Sequence, residues 1–244
     1  MYSREVDGKV LEFGTSGLLY RSNKLMYDRS TNTLWQQFLG EPVVGPLADS
    51  GIVLEYLPVL VTTWREWLAS HPDTTVLDDN TGIYPPERYR PEEDPRSFYF
   101  GYRQSPDTMF PVPQRSDLLP TKALVLGLIA GGQPRAYSLE LLQQEPVIND
   151  TLGGKDLVVV TTEKAGAARA YERGSYRFSL AQPIGNEEEV ITLVDRQGQR
   201  WQVQEDALVL VGASEQRLLR LPSHMAYWFG WYAFYPATDV YGLP

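Results

Sequence analysis

Two matching sets of tryptophans constrain this chain more than any other feature of its 244 residues. Trp64 and Trp67 follow Leu57-Pro58 and precede Pro72, Thr74 and Val76. Near the end of the chain, Trp228 and Trp231 follow Leu221-Pro222 and precede Pro236, Thr238 and Val240. All of these residues recur at a single offset of 164 positions. Trp35 and Trp201, 166 positions apart, complete the set of six, each after an Asp-Arg turn, Asp28-Arg29 or Asp195-Arg196. Chance gives one such match, not all together. A tandem duplication predicts two lobes related by a pseudo-two-fold axis. Residues 122–176 have no counterpart in the first unit, which is expected to be truncated at its N-terminus.

Local patterns within each unit are mostly β. Lys9 to Phe13 alternates before Gly14 and Gly17, which suggest a tight turn; Leu18 to Tyr20 and Lys24 to Tyr27 suggest short strands. Asp28 to Asn32 has hairpin-turn composition and leads into Leu34-Trp35. The second unit repeats this with Glu189 to Val194, the turn Asp195 to Gly198, and Arg200 to Val203. Leu157 to Thr162 is the best candidate for a strand buried on both faces. Helices are expected at Thr63 to Ser70, with Thr63 capping and Glu66 at the capping-box position, and at Ser138 to Gln144 behind a Ser138 cap. The predicted class is α+β and β-dominated, with a duplicated unit.

Residues 84–120 hold eight of the eighteen prolines together with Phe98, Tyr99, Phe100 and Tyr102. Disordered linkers are poor in aromatics, so an ordered, irregular connector is expected, with its rings supplying burial. The predicted division is 1–83, a truncated first unit; 84–120, the connector; and 121–244, the second unit.

Composition removes several function classes. The chain has no cysteine, so disulfide scaffolds, thiolate metal sites and thiol catalysis are excluded for it. A formal charge of −9 argues against a general nucleic-acid backbone binder. No apolar run is long enough to span a membrane, and no basic-then-apolar leader opens the sequence.

The two histidines give the clearest chemistry. His71 follows a predicted helix; it is a cap, a partner for a carboxylate, or a general base supported by Asp73. His224 stands in Pro222-Ser223-His224-Met225; it is a partly buried histidine with a hydrogen-bond partner, a proton shuttle or a single metal ligand. One histidine does not make a metal site, and neither Asp78-Asp79-Asn80 nor Asp94 has calcium-loop spacing, so no metal or organic cofactor is expected. Ser16 lacks the spacing of a nucleophile elbow and is expected to bond backbone, while Gly131-Gly132 and Gly153-Gly154 lack a phosphate-loop context. Asp28 and Arg29 are either turn-fixing or charge-stabilising residues. Trp64 with Trp67, and Trp228 with Trp231, are expected on one side of a short helix as lobe core. With Tyr232 and Tyr27, Trp228 and Trp231 are also the candidates for stacking a ligand.

The run Phe13 to Tyr20, then Met26-Tyr27-Asp28-Arg29, Thr33-Leu34-Trp35, Thr62-Thr63-Trp64, His71-Pro72-Asp73-Thr74, Arg135 to Leu139, Val147 to Asp150 and Tyr227 to Tyr232 carry a resemblance. They resemble a prokaryotic family catalogued as domain of unknown function 3179, over nearly the whole chain. That resemblance supplies no activity. It implies a Cys-Pro-x-Cys segment just before the position of Tyr2 in full-length relatives, which are often secreted or lipid-anchored. The localisation of this chain stays open.

Three readings follow. One is a binding module whose inter-lobe cleft takes a small polar or carbohydrate ligand. A second is a hydrolase-like enzyme using carboxylates with His224 or His71 and Arg29 at the seam. The third is an interaction module whose partner is another protein or a missing N-terminal segment.

Overall fold

A computed structural model describes residues 1–243, apart from 81, 93, 162–166 and 183–190. Thr162, Glu189 and Val190, at the ends of two expected strands, and the rest of 162–166 lie outside the described residues. The chain is β-dominated, with four short α-helices among the described residues.

The N-terminal part opens with a small hairpin, β1 (Glu5–Val6) and β2 (Lys9–Val10). An antiparallel sheet follows, made of β3 (Phe13–Tyr20), β4 (Asn23–Asp28), β5 (Leu34–Gln36) and β6 (Pro42–Val44) in that order. Gly17 does not end a strand as its position suggested. It lies inside β3, where the register with β4 shifts between Thr15 and Leu19, so the glycine serves a bulge. Ser16 Oγ donates to the Leu25 carbonyl at 2.7 Å. Helix α1 (Trp64–Ser70) starts where expected, with Thr63 Oγ1 accepting from the Glu66 amide.

The connector contains a 3₁₀ turn (Pro86–Tyr89) and α2 (Phe100–Gln104). Two of the four rings expected to supply burial do not, Phe98 at 90% and Tyr99 at 51% exposed, while Phe100 and Tyr102 are half-buried. Polar contacts also tie it down. Lys122 Nζ donates to the Tyr102 and Ser105 carbonyls, and the Trp228 indole donates to the Ser116 carbonyl at 3.0 Å.

The remainder is built from β7 (Leu124–Ala130), β8 (Gln133–Ser138), α3 (Leu139–Gln144), β9 (Val147–Leu152), β10 (Lys155–Thr161) and β11 (Ala168–Glu172). It continues through β12 (Phe178–Leu180), β13 (Thr192–Asp195), β14 (Arg200–Val203), β15 (Ala207–Leu210) and β16 (Ala213–Leu221). It closes with β17 (Ser223–Tyr227), α4 (Trp228–Phe234) and β18 (Asp239–Val240). Two-residue Gly-Gly turns at 131–132 and 153–154, all with positive φ, join β7 to β8 and β9 to β10; this is the geometry that lets a tight hairpin follow the strand twist.

Eight strands form one antiparallel sheet in the order β12-β13-β14-β15-β16-β11-β10-β9. Its edges meet: the Asn149 amide of β9 donates to the Phe178 carbonyl of β12 at 2.8 Å and accepts from the Phe178 N–H at 2.7 Å. The sheet thus curls almost into a barrel around Val158, Val160, Tyr171, Phe178, Leu193, Trp201 and Leu208. The outer face of β9–β11 packs Ile148, Leu157, Val159 and Ala170 against Leu126, Leu128 and Tyr137 of a second sheet. Strand alternation sends Leu157 and Val159 one way and Val158 and Val160 the other, and all four are fully buried.

That second sheet, β17-β7-β8-β18, is antiparallel except for β18 beside β8. Its far face carries Val125 and Ala136, which pack on Trp228 and Trp231 of α4. The layers run curled sheet, four-stranded sheet, helix. Burial of each such large side chain contributes about 1.5–3 kcal/mol. The N-terminal sheet reaches α4 from outside, with Phe38 stacked on Phe234 at 4.6 Å and Arg21 Nη1 donating to the Ala233 carbonyl at 2.7 Å.

One expectation about the core is overturned. Trp64 and Trp67 are not core: they are 49% and 36% exposed, and α1 contains no buried residue. Helical spacing puts both rings on one side, but no sheet among the described residues covers that side as β7 and β8 cover α4.

Candidate functional site

Strand β17 places His224 directly across from Gly127 of β7. Paired residues of an antiparallel ladder share a face, here the face covered by α4. Gly127 has no side chain, and that absence shapes the site. A Cβ there would fall 2.3 Å from two carbons of the Trp231 ring, so only glycine admits the indole against the strand. The indole N–H is spent on Thr238 Oγ1 at 2.9 Å, and its ring edge meets His224 with centroids 5.4 Å apart.

Two further rings come from the N-terminal part. Phe38 lies 5.2 Å and Tyr56 5.6 Å from the His224 ring. Tyr56 is fixed by donating to the Ser223 carbonyl at 3.1 Å and by an edge contact with Tyr2 at 5.3 Å. Tyr2 and Tyr235 both donate to the Phe38 carbonyl, at 2.9 Å each. These contacts frame a cavity of about 230 Å³ between the two parts of the chain. A second hollow of about 190 Å³ shares Phe38, Tyr56 and His224 with it.

His224 forms no hydrogen bond with any described residue, unlike the partnered histidine that its sequence setting suggested. Burial among these rings lowers its pKa to about 4, with the chain's amino group adding to the shift, so it is neutral at pH 7. A neutral imidazole offers one donor and one acceptor. Burial, and then the nearby Glu41 charge, push Tyr2 up to about 12; Tyr235 is also raised, by burial first. Among the described residues, the wall therefore carries no charge apart from the Glu41 carboxylate.

The other candidates do not join this cavity. Asp28 is fully buried beneath Trp35 and accepts from its indole at 2.9 Å, from the Thr31 amide at 2.6 Å and from the Ser30 and Thr31 hydroxyls. Burial opposes its charge, but those hydrogen bonds outweigh it and hold the carboxyl at about 2. Arg29 pairs with Glu12 at 3.0 Å and lies over the Tyr27 ring. His71 caps α1 through its backbone and stacks on Trp67 at 4.0 Å. Trp228 is buried behind Trp231, with Tyr232 at 5.3 Å. Of the eight sequence candidates, His224 and Trp231 line the cavity.

Sequence reasoning missed Phe38, Tyr56, Tyr2, Tyr235 and Glu41. Gly127 alone carried a signal, as the residue without a side chain within the apolar run Leu124 to Ala130.

Residues 1–238 match the family described as "Protein of unknown function (DUF3179)". The chain belongs to that family. The match takes in every residue of the cavity wall, from Tyr2 to Tyr235. No curated protein and no solved structure matches the chain. Among the described residues, no helix is long and apolar enough to cross a membrane.

Proposed function

We propose that this protein is a binding module, with a small polar or carbohydrate ligand held in the cavity around His224. The observation that carries this reading is an imidazole bonded to no described residue in a ring-walled hollow. His224 is partly buried and its nitrogens are not sealed from the hollow, so water or a ligand can take up its donor and its acceptor. Ring faces supply stacking area, and His224 supplies orientation. His224 serves as the ligand-facing residue, while the buried Trp231, with Trp228 and Tyr232, supports it.

The same reading treats the cavity as a seam between two related units, 1–83 and 121–244, joined by the connector 84–120. Repeated local geometry supports the duplication. Trp35 donates to Asp28 at 2.9 Å and Trp201 to Asp195 at 3.0 Å. Phe13 and Phe178 each meet the corresponding indole edge-on at 5.7 Å.

Saturation-transfer NMR on the full chain, with a panel of monosaccharides and small polar compounds, tests the binding reading. Signals that vanish in His224→Phe, which keeps a ring but removes both nitrogens, are the expected result. A panel without a hit, or hits indifferent to that substitution, overturns it.

A further inference from the structure

The cavity wall discriminates among small polar ligands more narrowly than its size suggests, and this inference rests on the binding reading above. Three tyrosine hydroxyls border the site. Each donates its proton to a backbone carbonyl: Tyr2 and Tyr235 to Phe38, Tyr56 to Ser223. A sugar needs a ring of free donors and acceptors, and these hydroxyls have spent their donors. What remains is π surface from Phe38 and the three tyrosines, Trp231 being buried behind the wall.

Charge points the same way. Among the described residues, the cavity lining has one formally charged side chain, the Glu41 carboxylate, and no Lys or Arg. The Glu41 side chain makes no hydrogen bond or ion pair with a described residue. Its charge is felt by both Tyr2 and Tyr235. Met1 lines the neighbouring hollow, which shares His224, and its amino group is felt there rather than at Glu41. Ring faces attract a cation through their quadrupoles, most strongly where water is excluded, and a carboxylate with no partner among the described residues adds to that attraction. A volume of about 230 Å³ suits a ligand below drug size.

We infer that the cavity takes a small quaternary ammonium ion bearing a hydroxyl arm, with the cationic head among the rings near Glu41 and the hydroxyl on His224. The imidazole suits this role because it is neutral and so does not repel the head. Its two nitrogens can donate to or accept from a hydroxyl.

Isothermal titration calorimetry on the full chain compares choline with 3,3-dimethylbutan-1-ol, which has the same shape and hydroxyl but carbon in place of the charged nitrogen. Choline is expected to bind at least about tenfold more tightly. Glu41→Gln should shrink that preference several-fold by weakening choline. Equal affinities in the wild-type protein, or a preference for the neutral analogue, would overturn the cation inference. A monosaccharide that binds where choline does not also overturns it, yet leaves the binding module standing. If nothing binds, both fall.

Discussion

In α1, the Trp67 indole donates to Thr74 Oγ1 at 3.0 Å, and the His71 amide closes the helix on the Trp67 carbonyl. In α4, the Trp231 indole donates to Thr238 Oγ1 at 2.9 Å, and the Tyr235 amide closes the helix on the Trp231 carbonyl. His71 stacks on Trp67 at 4.0 Å, and Tyr235 on Trp231 at 4.2 Å. The local architecture is the same to within a few tenths of an ångström. Burial is not: Trp67 is 36% exposed and Trp231 1%. A tryptophan clasp is thus a local device that forms with or without a core behind it. Whether it becomes core depends on a strand with a glycine at the right register, which β7 supplies to α4 and no described strand supplies to α1.

The largest effect that separates the two helices is expected from truncating their second tryptophans. Trp231→Ala should cost about 3–5 kcal/mol of unfolding free energy, because a filled space between α4 and β7 becomes a cavity. Trp67→Ala should cost under about 1 kcal/mol, since its ring faces water on one side. Urea denaturation of both variants measures this, and equal losses would break the comparison.

Next in size is an acid effect from His224. Its folded pKa of about 4 lies below the ordinary 6.5. Above pH 6.5 both states are neutral and stability is full. Between 6.5 and 4 only the unfolded chain takes up the proton, so stability falls, by about 3 kcal/mol in total. The difference between wild type and His224→Phe, followed by urea denaturation from pH 7 to 4.5, isolates this term. A difference that stays constant across that range contradicts a buried neutral imidazole.

The smallest effect tests likeness rather than contrast. Asp28→Asn and Asp195→Asn each replace a carboxylate that bonds an indole and a nearby backbone amide. Each should cost about 1–3 kcal/mol, and the two costs should agree within about twofold. For Asp28, whose folded pKa is about 2 against an ordinary 3.8, the contribution is full above the ordinary value. It is lost as pH falls through 2. Thermal melts of the pair give the comparison, and a marked inequality would separate the two turns.

Much of the scaffold was legible. Thr63 and Ser138 cap the helices expected of them, since a cap needs only residues a turn apart. The Leu157 to Thr161 run is a strand with two buried faces, because continuous apolarity leaves no polar side to turn outward. Other expectations failed for reasons of distance. Phe98 and Tyr99 are exposed although aromatic, because composition does not say whether a partner surface exists. Asp28, by contrast, fixes its own turn, one of the two roles expected of it, by accepting from Ser30 and Thr31, and it also accepts from Trp35.

The sequence by itself determined the hairpins, the caps and the Asp–Trp and Trp–Thr clasps, whose partners lie within about eight residues and meet through local backbone geometry alone. The tertiary structure decided which tryptophans are core and where the cavity lies. Phe38 and Tyr235 are 197 residues apart, and Tyr56 and Ser223 167 apart. Contacts of that span exist only after the sheets have packed, and their cost in chain entropy is met by the whole core rather than by any motif.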